Sequence, residues 1–295
     1  MSTKNKIIIA LGVIGLVLLC VGSILGGSLS SIPAIFSEVT LPEGAISAEE
    51  AKPADVHSLE LNLVNSDITI KTGEDFRLSG SGLSASYVKD GVLYAGKTEA
   101  KHTANIFGSK LSAPKDWIYG HGTYVLTIPP KAKFDSIKIQ AAHCDIVADS
   151  LKATTIDLVA KSGNVTVTEI ATDTLNISAK SLSTENIQVL QNATINTSKN
   201  ITIGNEAMMA NVLQNVTLTS SRGDITTFGK FMGNSSISAE RGNIATTLAG
   251  ASTNYTMRPL GGELTIGTEV GAEVSEEHFG DISFTSKTQS DVHFK

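Results

Sequence analysis

The sequence predicts an all-β protein: a single-stranded parallel β-solenoid (β-helix) ectodomain preceded by one N-terminal transmembrane helix. Three observations carry that expectation. A polar turn followed by an alternating strand recurs along the chain, with the turn acid or amide at residues 145, 164, 186, 200, 224, 243, 263 and 281. A period near twenty residues without helical segments is what stacked coils produce. Composition agrees: 41% of residues are hydrophobic but only 5% aromatic, so the core must be built from small and β-branched side chains, which favour strands. The third observation is the run Ile7–Leu25, which carries no charge and has about the length needed to cross ~30 Å of hydrocarbon.

Lys4 and Lys6 precede that run, and no Lys or Arg follows it until Lys52. The positive-inside rule therefore puts residues 1–6 in the cytoplasm, makes 7–27 a single-pass membrane anchor, and places the rest outside the cell. A cleaved signal peptide is the competing reading, but its apolar region is usually about 7–15 residues. Residues 28–55, with Pro33, Pro42 and Pro53 and no sustained periodicity, read as a stalk. From residue 28 onward there are 21 basic and 29 acidic side chains. That acidic balance argues against nucleic acid as a partner. The two cysteines are Cys20, inside the anchor, and Cys144, so no disulfide is expected.

The solenoid domain is expected over 56–295. Leu59, Leu61 and Leu63 alternate with Glu60 and Asn62, which is strand periodicity. Phe76 to Ala95 continues it around an Asp90-Gly91 turn, residues 97–122 read as a loop insertion, and the strand from Thr123 ends at Pro129-Pro130. Beyond Lys131 the repeat persists. Its clearest copies are Gly163-Asn164-Val165, Gly223-Asp224-Ile225, Gly242-Asn243-Ile244 and Gly262-Glu263-Leu264, with looser copies at Asp67, Asp145, Asn186 and Asn200. Gly and Asn suit corners because they tolerate positive φ. An antiparallel meander is the rival architecture, since strand–Gly-Asp–strand is also a hairpin signal.

The run Thr127-Ile128-Pro129-Pro130-Lys131-Ala132-Lys133-Phe134-Asp135-Ser136-Ile137, followed by Lys161-Ser162-Gly163-Asn164-Val165-Thr166-Val167, resembles the bacterial "putative adhesin" domain family. The resemblance covers Val56 to Lys295. It implies a β-solenoid held at the cell surface by one N-terminal helix, and in some members an operon that responds to envelope stress. It implies no catalytic residues. The insertion 97–122 and the His143-Cys144 pair, standing where the family has Ser-Gly, depart from its pattern.

Several motifs invite a chemical reading. Gly91-Val92-Leu93-Tyr94-Ala95-Gly96-Lys97-Thr98 fits the phosphate-loop pattern, but its four middle residues read as a strand, so no nucleotide is expected. His143-Cys144-Asp145 holds three ligand types, yet neighbours on an extended chain point to opposite faces, and Cys144 reads as a small buried filler. Arg222-Gly223-Asp224 spells an integrin-binding tripeptide, while Gly223-Asp224-Ile225 is what the repeat itself demands. Asp145, Asp224 and Asp281 occupy equivalent turns, the best case for a polysaccharide-active β-helix enzyme, but asparagines interrupt that edge. Tyr87, Tyr94, Trp117, Tyr119 and Tyr124 fall within 38 residues. They suit either a ligand or partner surface or a lid on the end of the solenoid. The expectation is a non-enzymatic, membrane-anchored surface protein without cofactor or metal. Its candidate partners are a cell-wall polymer, a host molecule or another envelope protein; the alternatives are an envelope-stress accessory and the β-helix enzyme.

Overall fold

A computed structural model describes the chain from Glu38 to Phe294 apart from 49, 64–65, 75, 81–85, 97–100, 107–108, 113–121, 142, 206–210, 249–253, 260–263, 269–281 and 285–291. The run Ile7–Leu25, expected to be an anchor, lies outside these residues, and no helix among those described is long and apolar enough to cross a membrane. The chain divides into two units. One holds a small antiparallel sheet in which Lys101–Ile106 pairs with both Glu38–Thr40 and Ser109–Ser112. Part of the expected insertion 97–122 is therefore a hairpin.

The other unit is the solenoid, and its pairing is parallel. Phe134–Gln140 lies beside 153–159, Leu182 beside Ile201, Ile201 beside Ile225, Ile225 beside Ile244 and Ile244 beside Leu264. The chain advances 19, 19, 24, 19 and 20 residues between these partners, one coil each time. Parallel register of this kind rules out the meander, whose neighbouring strands run in opposite directions. The extended run Ile146–Thr197 has 52 residues, which would reach roughly 170 Å if straight. It winds instead, with burial alternating along each face.

The core is a stack of aliphatic rows. Ile225 and Ile244 are both fully buried neighbours, as are Leu59, Ile137 and Ile156 on the adjoining face. Outward positions between them are polar, and in one row Glu60, Lys138 and Asp157 stand side by side with alternating charge, a favourable arrangement across strands. The alternation is what the period-2 pattern encodes: one face of each strand is withdrawn from water and the other keeps its hydration.

The order of coils differs from the order of the sequence at the N-terminal end. The first coil, Ser58–Asn62 with Ser66–Thr72, has Phe134–Gln140 and Ile146–Ala148 on one side. On its other side lie Val92–Ala95 and Gly122–Ile128. The chain thus doubles back after Thr72, covers the outer side of the first coil, and then crosses over to build the rest. Antiparallel pairs finish this end: Arg77–Gly80 on 124–127, Tyr87–Lys89 on 92–94, and Ile46–Ser47 on 87–88. Mixed pairing of this kind ends a ladder that would otherwise offer an open template. Within the stretch 28–55 expected as a stalk, Glu38–Thr40 pairs in the small sheet, Ile46–Ser47 joins the solenoid sheet and Ala48 is buried.

The 24-residue advance from Ile201 to Ile225 is accommodated around Asn211, which is fully buried. Its Oδ1 accepts from the Ile187 N–H at 2.7 Å and its Nδ2 donates to the Phe228 carbonyl at 2.8 Å, so it ties together backbone of the coils before and after. Gly204 and Gly229, both at positive φ, leave the room it fills. Asn211→Leu is expected to strand both backbone groups and lower stability by about 1–3 kcal/mol for each. The check is the midpoint of urea unfolding followed by circular dichroism. A midpoint equal to wild type would show that the amide is dispensable.

Candidate functional site

The repeat turns converge on one corner of the solenoid, where coils hydrogen-bond to the next through Asp or Asn side chains, except from Ser181 to Asn200, where main-chain bonds alone make the link. Asp67 Oδ1 accepts from the Asp145 N–H at 2.9 Å. Asp145 Oδ1 accepts from the Asn164 N–H at 2.7 Å and from its amide at 3.2 Å. Asn164 Oδ1 then accepts from the Ser181 hydroxyl at 2.6 Å. Asn200 Oδ1 accepts from the Asp224 N–H at 3.1 Å, and Asp224 Oδ1 from the Asn243 N–H at 2.8 Å. Main-chain bonds run alongside, from Leu182 N–H to the Asn200 carbonyl and from Ile201 N–H to that of Asp224.

The glycines beside these residues are dictated by contact. A Cβ on Gly163 would fall on the Cys144 carbonyl, one on Gly223 on the Lys199–Asn200 peptide, and one on Gly242 on the Gly223 carbonyl. Gly262 lies outside the described residues. Asn186, which the spacing placed in this series, is not at this corner. Ser181 takes the position, and the Asn186 carbonyl accepts from Thr184 Oγ1 instead. The error arose because Glu185-Asn186-Ile187 has the same local pattern as a corner, and only inter-coil register separates the two.

This geometry bears on catalysis. Asp145 and Asp224 stand on the same edge but four coils apart, about 19 Å at ~4.8 Å per coil. A pair of carboxyls acting on a glycosidic bond stands about 5–9.5 Å apart. Each also spends an oxygen on backbone of the following coil. Asp281 lies outside the described residues.

Cys144 packs partly buried against the hydrophobic core. Burial, and then the negative charge of Asp67, push its thiol above the usual cysteine range, the opposite of what a nucleophilic cysteine needs. His143 beside it is exposed, and no group of three or more metal-ligating side chains occurs among the described residues. The phosphate-loop look-alike is strand at Val92–Ala95, with Leu93 and Ala95 fully buried, behind a turn in which Asp90 and Gly91 both have positive φ.

Of the clustered aromatics, Tyr87 and Tyr124 are buried and offer no ring face to a ligand. Tyr94 is half-buried and stacks on Tyr87, with ring centroids 5.1 Å apart. Both rings belong to the strands that close the N-terminal end, and Trp117 and Tyr119 lie outside the described residues. A shallow, mostly apolar groove of about 260 Å³ runs across successive coils past Phe134, Ala153, Ala171 and Leu190, with Lys133, Lys152 and Asp173 among its polar neighbours. Leu190 is 53% exposed. The groove's buried Thr172 is satisfied by the Thr154 and Thr174 carbonyls, and Lys152 pairs with Glu169 at 3.0 Å. Sequence periodicity had no means of finding it, since its walls come from four coils.

The profile of the family described as Toastrack DUF4097 matches residues 56–293, nearly the span over which the sequence resembles the "putative adhesin" domain. The structure is similar to that of a putative adhesin from Bacteroides fragilis NCTC 9343, with a TM-score of 0.35 and 12% identity over 87% of this chain and 96% of that one. No curated protein matches the chain.

Asp224→Asn should leave folding unchanged, because an amide oxygen accepts the Asn243 N–H equally well. Asp224→Ala should lose about 0.5–1.5 kcal/mol, read as a drop in melting temperature. A second expectation concerns Cys144. Its thiol in the folded chain should react with iodoacetamide at neutral pH more slowly than free cysteine, and reach the free rate only once the chain is unfolded in urea.

Proposed function

The chain belongs to the Toastrack DUF4097 family, and from that membership we propose that its solenoid is a non-enzymatic binding or scaffold module held at the cell surface. The observation that carries this reading is the corner. Of the acids the β-helix enzyme would need, Asp145 and Asp224 are inter-coil acceptors, each bonded to the backbone of the next coil. A row committed to structure leaves the outer faces of the coils as the functional surface, and a rigid stack presents such faces over an extended length. In this reading Ile7–Leu25 anchors the chain, residues 1–6 are cytoplasmic, and the solenoid stands outside, facing cell-wall polymer, host molecules or other envelope proteins.

Protease treatment of intact cells should remove the solenoid while leaving an anchor fragment in the membrane, detected by an N-terminal epitope tag. Full protection of the solenoid in intact cells, with digestion only after lysis, would overturn the topology.

A further inference from the structure

The same corner carries a second series that the turn pattern hides. Lys161, Lys180, Lys199, Arg222 and Arg241 fall one on each of five consecutive coils. Register establishes the series: the Lys199 N–H bonds to the Lys180 carbonyl at 2.7 Å, Gly223 sits on the Lys199–Asn200 peptide and Gly242 on the Gly223 carbonyl. The Ser181 hydroxyl bonded to Asn164 joins the coil of Lys180 to that of Lys161.

Four of the five side chains are exposed and Lys180 is half-buried. None is ion-paired within the described residues. The carboxylates on these five turns are Asp224, already accepting from Asn243, and Glu240. From residue 28 onward the chain has eight more acidic than basic side chains, so five cations against two carboxylates on these five turns, with Asp67 and Asp145 on the two coils before them, is a local reversal of sign. At ~4.8 Å per coil the series extends about 19 Å.

We propose that this basic corner binds a linear polyanion, a polymer carrying phosphate at each repeat, laid along the solenoid. A file of cations on a rigid edge matches a chain of evenly repeated charge. Each cation that neutralises a phosphate releases a counterion, so the file gains affinity with polymer length where a single site would not. Arg222 and Arg241 add forked donors suited to phosphate oxygens. The proposal deepens the binding-module reading and rests on it.

The experiment uses the full-length chain in neutral detergent and inorganic polyphosphate as the probe, with orthophosphate and uncharged dextran as comparisons. Polyphosphate should bind and the other two should not. The logarithm of affinity should fall with the logarithm of salt concentration with a slope of about 0.7 per cation engaged. Replacing Lys161, Lys180, Lys199, Arg222 and Arg241 together by Gln should weaken binding by about tenfold or more and flatten that slope. Replacing Lys71, Lys89, Lys131, Lys138 and Lys230 by Gln removes the same charge elsewhere and should leave binding near wild type.

Circular dichroism of both variants separates lost binding from lost fold; if the five-fold corner variant is unfolded, the Arg222→Gln/Arg241→Gln pair is read in its place. Equal losses in corner and control variants would overturn the proposal, as would polyphosphate binding no tighter than orthophosphate. Capture of the chain by anionic phospholipid vesicles without polyphosphate binding would overturn it in favour of a membrane-facing corner. Failure of polyphosphate to bind, with protease still removing the solenoid from intact cells, would overturn the corner and leave the surface-module reading standing.

Discussion

Everything in the solenoid depends on the distance between neighbouring coils. Parallel strands sit ~4.8 Å apart, and the corner must hold that spacing where the chain turns and main-chain pairing falters. The Asp and Asn side chains do this by accepting a main-chain N–H, or at Ser181 a hydroxyl, from the next coil. Gly163, Gly223 and Gly242 do it by having no Cβ where the previous coil's backbone passes. Acceptor and glycine are two answers to one constraint, which is why they adjoin in the repeat. Where the glycine is missing, as at Lys180 and Lys199, the corner is one or two residues shorter.

A stack of parallel coils has an obligatory weakness at its ends, where strands expose unpaired N–H and C=O groups. Here the N-terminal end is closed from within the chain. After one coil the backbone turns back, lays Val92–Ala95 and Gly122–Ile128 over the outer side, and adds antiparallel strands beyond them. Tyr87 and Tyr124 belong to the strands that close this end, and their broad rings are buried in the core there.

The corner also shows how one feature serves stability and recognition without conflict. Its acceptors point along the axis to the following coil, whereas long cationic side chains at neighbouring positions reach outward into water. Arg222-Gly223-Asp224 divides on that line: Gly223 is fixed by backbone contact, Asp224 by its bond to Asn243, and Arg222 faces solvent. Neighbouring coils repeat the division, so the unit with functional meaning is a column through several coils and not a tripeptide.

The sequence by itself determined the all-β class, the coil period and the aliphatic alternation, because each is set by local rules: side chains alternate with period 2, and corners need glycine and short amides. Gly163-Asn164, Gly223-Asp224 and Gly242-Asn243 were legible for that reason. Only the tertiary structure decided which coil lies beside which. It placed the first coil between 92–95 and 134–140, put Ser181 at the corner in place of Asn186, and drew Ile46–Ser47 into the cap. It also assembled Lys161, Lys180, Lys199, Arg222 and Arg241 into one edge. Adjacency between coils is a matter of register over 17 to 78 residues, and no local pattern of side chains carries a distance of that kind.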